Sequence, residues 1–206
     1  MSRLQTGTMP TTSTLSERLA RLKEDLSSNP RSSSDEHVDA VVGILLYQES
    51  AGELITLLIH RVERSNDPWS GQIGLPGGRV EKFDGSTREA LEREVREEVG
   101  LELNKEGELL GLLSVGHPGR RIEMKVQPWV YGLHRRPEVI IGAEVQHAFW
   151  VSLSKLPSLK GTSEVEIRGT RILVEAFLVD RTVVWGFTYR VLNELLAVPG
   201  VLGQLF

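Results

Sequence analysis

The sequence predicts an α+β protein or an α/β/α sandwich, and three observations indicate this. Strand-like and helix-like runs follow one another in the order β-β-loop-α-β-β, mixed rather than strictly alternating. No internal repeat or low-complexity block interrupts residues 37–206. With 206 residues, 40% of them hydrophobic, the chain is long and apolar enough to bury one core of ordinary size.

The first 36 residues are predicted to form an extension to a domain that spans residues 37–206. Residues 1–14 are polar and rich in Thr and Ser, and residues 27–36, with a proline and a serine run, are typical of a linker. Between them, four leucines at helical spacing predict a short helix packed on the outside of the domain. They are Leu15, Leu19, Leu22 and Leu26. A helix that binds a partner protein is the alternative.

Within the domain, runs of β-branched and aromatic residues bounded by turn formers predict six strands. These cover residues 38–47, 53–62, 108–115, 122–133, 164–168 and 172–179. Residues 63–76 are predicted to be a polar loop. Two amphipathic runs predict helices over residues 85–99 and 187–196, and Gly100 stands where a glycine commonly ends a helix.

Composition and charge disfavour several classes of function. The net charge is −4, with 24 basic and 28 acidic side chains, whereas proteins that bind nucleic acid usually carry a basic face. The chain contains no cysteine, which excludes disulfide scaffolds, thiolate metal sites and cysteine nucleophiles. No run is long and apolar enough to predict a membrane span, and the first residues lack the apolar region of an export signal. We therefore expect a cytoplasmic protein with neither a membrane nor a nucleic-acid partner, and the sequence does not indicate an oligomeric state.

The helix predicted over residues 85–99 gathers three acids on one side. With Glu94 as reference, Glu97 lies at about −60° and Glu98 at about +40° around the helix axis. An apolar stripe lies beside them. It consists of Leu91, Val95 and Val99. The three carboxylates are therefore predicted at the edge of the buried face.

Three carboxylates in such a place repel one another. At a separation of about 4 Å and an effective dielectric constant near 20, one pair costs roughly 4 kcal/mol. Protonation, full solvation or a hard divalent cation such as Mg²⁺ relieves that repulsion. The plain alternative is a solvated acidic helix with surface ion pairs. The turn at Gly77 and Gly78, just upstream, favours the cation because glycines let the main chain approach a bound ion closely.

These residues resemble the sequence box of the Nudix hydrolases. The second half of that box, Arg-Glu-apolar-x-Glu-Glu-x-Gly-apolar, is complete here. It is formed by Arg93, Glu94, Val95, Glu97, Glu98, Gly100 and Leu101. The first half departs from the box. Gly78 is followed by five residues and then by Asp84 rather than Glu, and eight residues rather than seven separate Asp84 from Arg93.

The resemblance implies a Nudix-type α/β/α sandwich with a mixed central sheet, and a metal-dependent hydrolase of diphosphate linkages. Glu94, Glu97 and Glu98 would bind one or more Mg²⁺ or Mn²⁺ ions, and one of them would act as a base toward water. Gly77 or Gly78 would offer a main-chain carbonyl to the metal, and Gly78 would also border the substrate.

Two further roles follow from the same resemblance. Arg93 would hold Asp84 and orient the glutamates. A further acid from a later loop is often recruited in the family, and Glu144 is the candidate, with an ordinary exposed loop acid as the alternative.

Three features resemble the coenzyme A diphosphatase subfamily. They are the Asp84 spacing, residues 57–61 with residues 71–78, and residues 184–192. The upstream segment departs at Val62, where the subfamily has Ser, and at Leu75, where it has Phe.

The substrate expected from this resemblance is coenzyme A or an acyl-coenzyme A, cleaved to 3′,5′-ADP and (acyl-)4′-phosphopantetheine. Arg61 and Arg64 would bind its 3′-phosphate, unless they are surface charges of a loop. Trp185 would either stack on the base or belong to the core. The alternative substrates are ADP-ribose, NADH and dinucleotide polyphosphates, and a non-catalytic nucleotide-sensing module is the alternative of another class.

Overall fold

The computed structural model describes residues 15–27, 37–63, 70–119, 123–167 and 169–202. Its helices are α1 (Glu17–Ser27), α2 (Thr87–Val99), α3 (Leu103–Glu106) and α4 (Gly186–Leu196), with a 3-10 helix at Leu156–Leu159. Its strands are β1 (Ala40–Gln48), β2 (Leu54–Arg61), β3 (Ile73–Gly74), β4 (Gly77–Arg79), β5 (Gly107–Leu112), β6 (Val126–Leu133), β7 (Val145–Ser152), β8 (Lys160–Ile167), β9 (Thr170–Val179) and β10 (Thr182–Trp185). Within those ranges no helix has both the length and the apolar character needed to cross a membrane.

The larger of two sheets contains seven strands. Its main path runs β3-β2-β1-β6-β5, while β4 pairs with β1 and β7 pairs with β2. Strands β1 and β6 are parallel and the other pairs are antiparallel, so the sheet is mixed. The smaller sheet consists of β8, β9 and β10 in antiparallel order.

Helices cover both faces of the larger sheet. Alternate residues of β2 point to opposite faces, as strand geometry requires. Leu54 and Leu58 pack in the cluster that contains α1 and α4, whereas Leu57 and Ile59 pack in the cluster that contains α2 and α3. This arrangement confirms the predicted α/β/α sandwich with a mixed central sheet.

Several short or irregular strands were not predicted. The predicted loop over residues 63–76 contains β3, and β4 follows it with two glycines among its three residues. These short strands exist because β3 pairs with β2 and β4 pairs with β1, which are contacts distant in sequence. Strand β7 lacks a clean alternation of buried and exposed residues, and β10 has four residues, so both gave a weak local signal.

Helix α1 packs against the domain, as the leucine spacing predicted. Leu19, Leu22 and Leu26 are buried in the same core cluster as residues of β1 and α4. Arg18 fastens this helix to two distant loops, because its guanidinium donates to the carbonyl oxygens of Gly52, Gly200 (3.3 Å) and Val201 (2.6 Å). The predicted linker lies almost wholly outside the described residues.

Replacing Arg18 by Met is expected to lower the free energy of unfolding by about 2 kcal/mol, because the change leaves part-buried carbonyl oxygens without their donor. Urea unfolding followed by circular dichroism measures this. Arg21, exposed on the same helix, provides the matched control, and Arg21→Met is expected to cost less than about 0.5 kcal/mol. Equal urea midpoints for the two variants would show that the Arg18 contacts do not stabilise the docked helix.

Candidate active site

Helix α2 carries most of the predicted site and is capped at both ends. The Ser86 hydroxyl accepts a hydrogen bond from the Glu89 main-chain N–H at 3.1 Å. Gly100 ends the helix in the left-handed conformation, with φ 73°, and donates to the Arg96 carbonyl. The buried stripe consists of Ala90, Leu91, Val95 and Val99. Caps and stripe together fix the rotation of the helix, and therefore the positions of its acids.

Glu98 is almost fully buried, with 2% of its surface exposed. One carboxylate oxygen accepts from the Gly77 main-chain N–H at 2.8 Å, and the other accepts from the Arg61 guanidinium at 2.9 Å. Burial raises the pKa of Glu98 to about 7, since desolvation outweighs these two bonds and the negative Glu94 and Glu144 add to the shift. The helical projection predicted Glu98 at the edge of the buried face, but the side chain lies within the protein interior.

Glu94 lies directly against the second glycine of the turn. A Cβ placed on Gly78 would be 2.5 Å from the Glu94 carboxyl carbon. Any side chain at residue 78 would therefore displace the Glu94 carboxylate. Arg93 donates to Glu94 at 2.7 Å, yet burial still raises the pKa of Glu94. Two of the three predicted acids therefore meet the Gly77–Gly78 turn.

The main-chain conformation and packing at residue 77 require glycine. Its φ is 143°, and a Cβ there would overlap the carbonyl oxygen of Val41. The pairing of β4 with β1 causes this close approach, and it also aims the Gly77 N–H at Glu98.

Arg93 binds Asp84 with two hydrogen bonds, at 3.0 and 2.9 Å. The ion pair holds the pKa of Asp84 below its usual range and raises that of Arg93. The same guanidinium reaches Glu94 and, at 3.4 Å, Glu97. The contact between Arg93 and Asp84 thus forms although eight residues separate them.

Glu97 and Glu144 are more exposed than the other acids. The Glu97 side chain is 57% exposed and faces Arg93, while the Glu144 side chain is 50% exposed and lies 3.6 Å from the Arg61 guanidinium. The loop that carries Glu144 is tied to the end of α2, because Gly142 donates to the Glu98 carbonyl at 2.9 Å. Glu144 is therefore brought beside the helix by main-chain contacts.

Comparison with known proteins identifies the family. The NUDIX domain model matches residues 37–168, more than half of the 206-residue chain. The chain belongs to the Nudix family. A crystal structure of the Nudix hydrolase RenU from M. smegmatis shares the fold, with a TM-score of 0.50 and 17% identity over 59% of this chain and 74% of that one. The MutT protein of Methanosarcina mazei is 29% identical, with a TM-score of 0.44, over 61% of this chain and 85% of its own.

An uncharacterised protein of Schizosaccharomyces pombe is 31% identical over 127 residues. The aligned part covers 59% of this chain and 39% of the yeast protein, so the Nudix chain spans well under half of that relative's length.

The acids of this Nudix chain have the donor chemistry that a divalent cation requires. Carboxylate oxygens are the preferred protein ligands of Mg²⁺ and Mn²⁺, and burial raises the pKa of both Glu94 and Glu98 despite their hydrogen bonds. In the described part of the chain, however, no three acids or histidines converge closely enough to hold a metal as they stand. Two arginines, Arg61 and Arg93, engage the carboxylates instead. That Glu94, Glu97 and Glu98 bind one or more Mg²⁺ or Mn²⁺ ions stays a prediction.

Other predicted residues of the Nudix domain have different outcomes. Arg64 lies outside the described residues, so its role stays a prediction. Arg61 faces two carboxylates, an environment that its position in the upstream segment did not indicate. Gly142 and Arg181 were not among the predicted residues, because they belong to segments without a recognisable motif. The local sequence signal at Gly142 was weak, since it is a glycine that follows Ile140 and Ile141, both exposed in the structure.

A polar cavity of about 230 Å³ lies beside the strand that carries Arg61. Residues from separate parts of the chain line it together. Its lining is formed by His60, Gly71, Gln72, Ile73, Arg181, Thr182, Val183 and Trp185. Trp185 is half-buried and lines this cavity, so the prediction of a core tryptophan is only partly met.

Proposed function

We propose that this Nudix protein is a metal-dependent pyrophosphohydrolase of nucleoside diphosphate-linked substrates, and that coenzyme A or an acyl-coenzyme A is the substrate. The observation that carries the substrate is the cavity, because two segments distant in sequence, each similar to the coenzyme A diphosphatases, line it together. Thr188 supports this arrangement by donating to the Ile73 carbonyl at 3.3 Å, which ties α4 to β3.

The chemistry of the cavity suits a phosphorylated nucleoside. Trp185 is an aromatic residue of the lining and would stack on a base, and Gln72 has both an amide donor and an acceptor. Arg181 is an exposed cation on its rim and is our candidate for the 3′-phosphate, in place of Arg61.

The acids beside Arg61, which directly follows the cavity residue His60 at the end of β2, would hold the cation. Glu94 and Glu98 are the inner ligands in this proposal, with Glu97 and Glu144 as the more exposed ones. A divalent cation bound there would polarise the diphosphate and neutralise the charge that develops on the leaving group.

The protein's own groups have three tasks in this scheme. Arg93 keeps Glu94 in place through its bonds to Asp84, and the Gly77 N–H keeps Glu98 in place. An exposed carboxylate, Glu97 or Glu144, is suited to accept a proton from the attacking water, since its oxygens are open to solvent.

Incubation of the purified protein with coenzyme A and Mg²⁺ or Mn²⁺ tests the proposal. The expected products, separated by anion exchange, are 3′,5′-ADP and 4′-phosphopantetheine. A panel of ADP-ribose, NADH and a dinucleotide polyphosphate serves as comparison, and dephospho-coenzyme A serves as a matched control that lacks only the 3′-phosphate. We expect kcat/KM to be highest for coenzyme A and at least about 10-fold lower for dephospho-coenzyme A, because one charge-assisted phosphate contact is lost.

The possible results distinguish a wrong substrate from a wrong class of protein. Fast turnover of ADP-ribose with none of coenzyme A would contradict the substrate and leave the class of enzyme standing. Nucleotide binding without turnover in either metal would instead favour a sensing module.

A further inference from the structure

Arg61 occupies a position where three elements meet. It is the last residue of β2, at an irregularity in the pairing with β7, and its side chain is 23% exposed. The guanidinium contacts Glu98 of α2 at 2.9 Å and Glu144 of the loop before β7 at 3.6 Å. It therefore links two of the proposed metal-binding acids that come from separate parts of the chain.

The reason for a cation at this point is electrostatic. Glu98 is almost without solvent, and Glu94 and Glu144 both act on it with like charge. Removing such a carboxylate from water is unfavourable unless it is paired and hydrogen-bonded. Arg61 supplies both the opposite charge and a donor.

A divalent cation needs the oxygen atoms that this guanidinium holds. A carboxylate oxygen that accepts a strong N–H bond is a poorer ligand, and two positive groups a few ångströms apart repel each other. The long Arg61 side chain has a path to solvent, because part of its surface is exposed.

We infer that Arg61 is the internal counter-ion of Glu98 and Glu144 in the metal-free enzyme, and that an entering divalent cation displaces its guanidinium. Arg61 is thus a positioning residue that competes with the metal. This inference rests on the metal site of the proposed function and is independent of which diphosphate is the substrate.

Calorimetric titration of the metal-free protein with Mg²⁺ tests the inference without any substrate. At about pH 8, Arg61→Gln is expected to bind Mg²⁺ at least about 10-fold more tightly than the parent, because a competing positive charge is gone. Arg61→Lys keeps the charge and is expected to stay closer to the parent. A purely structural role for Arg61 predicts weaker binding on its loss, never tighter.

Arg88→Gln is the matched control. It also removes one positive charge, but Arg88 pairs with Glu92 on the exposed face of α2. Its affinity for Mg²⁺ is expected to equal that of the parent. Circular dichroism without metal establishes that each variant is folded.

Nuclear magnetic resonance of the unaltered protein covers the case in which Arg61→Gln does not fold. The Arg61 Nε–H signal, assigned by its loss in Arg61→Lys, is expected to exchange faster with water when Mg²⁺ is added. Unchanged exchange, or a folded Arg61→Gln that binds Mg²⁺ no more tightly than the parent, would overturn the inference. A parent that binds no Mg²⁺ at all would overturn the proposed metal site as well.

Discussion

Glu98→Gln is expected to reduce diphosphate hydrolysis by at least about 100-fold, because a bound divalent cation is worth several kcal/mol of transition-state stabilisation and Glu98 is proposed as one of its inner ligands. The amide cannot supply the negative charge that the proposed cation requires, although it has nearly the shape of the carboxylate. Steady-state measurement of kcat/KM with the best substrate of the panel determines the loss. Glu97→Gln is expected to lower the rate as well, with no cost in stability because that side chain is 57% exposed.

Glu92→Gln is the control on the same helix, since Glu92 pairs with Arg88 at 2.9 Å, away from the Gly77–Gly78 turn. Its rate is expected to stay close to that of the parent. Near-normal rates in both Glu97→Gln and Glu98→Gln would show that the active site has been assigned to the wrong acids.

The same Glu98 variant has a signature in stability that does not depend on turnover. The pKa of Glu98 is raised to about 7 in the folded chain, from 4.5. The neutral carboxyl is therefore favoured by folding, and this contribution is fully present below about pH 4.5 and is lost as the pH rises through about 7. In EDTA, the difference in unfolding free energy between Glu98→Gln and the parent is expected to rise by up to about 3 kcal/mol over that range. Mg²⁺ should remove this rise, because it stabilises the ionised carboxylate of the parent.

Much of this site could be predicted because its signals are local. Helix α2 was predicted over residues 85–99 and is observed over Thr87–Val99, since an apolar stripe and a terminal glycine are encoded within one helix length. The proximity of Glu94 and Glu98 to Gly77 and Gly78 also agreed with the motif.

The environment of each acid could not be predicted, because it depends on contacts distant in sequence. The burial of Glu98 is completed by the pairing of β4 with β1, and a helical projection contains no information on that strand. Arg61 was expected to bind phosphate, but the fold brings it to Glu98 and Glu144 from another element. Local pattern therefore predicted that these acids lie beside the glycine turn, and tertiary packing determines which of their charges are compensated.

The two glycines of the turn are expected to respond differently to alanine: replacing Gly77 lowers stability, whereas replacing Gly78 lowers activity. In Gly77→Ala the new Cβ meets the Val41 carbonyl oxygen and the residue must keep a φ of 143°, so we expect a loss of about 3 kcal/mol or more in unfolding free energy. For a chain of this size that corresponds to a fall in Tm of about 10 °C.

In Gly78→Ala the new Cβ meets a side chain instead, 2.5 Å from the carboxyl carbon of Glu94. A carboxylate can swing aside where a main-chain carbonyl cannot, so we expect Tm to change by only about 2 °C. The displaced Glu94 leaves its bond to Arg93 and its proposed place beside the cation, and kcat should fall by about 10- to 100-fold. Differential scanning calorimetry measures the Tm of both variants, and steady-state kinetics measures their kcat. Two results would contradict this expectation: a Tm of Gly78→Ala as low as that of Gly77→Ala, or a kcat equal to that of the parent. Either would show that the position of Glu94 does not depend on the missing side chain at residue 78. The proposal that Glu94 is a metal ligand would then lose this support.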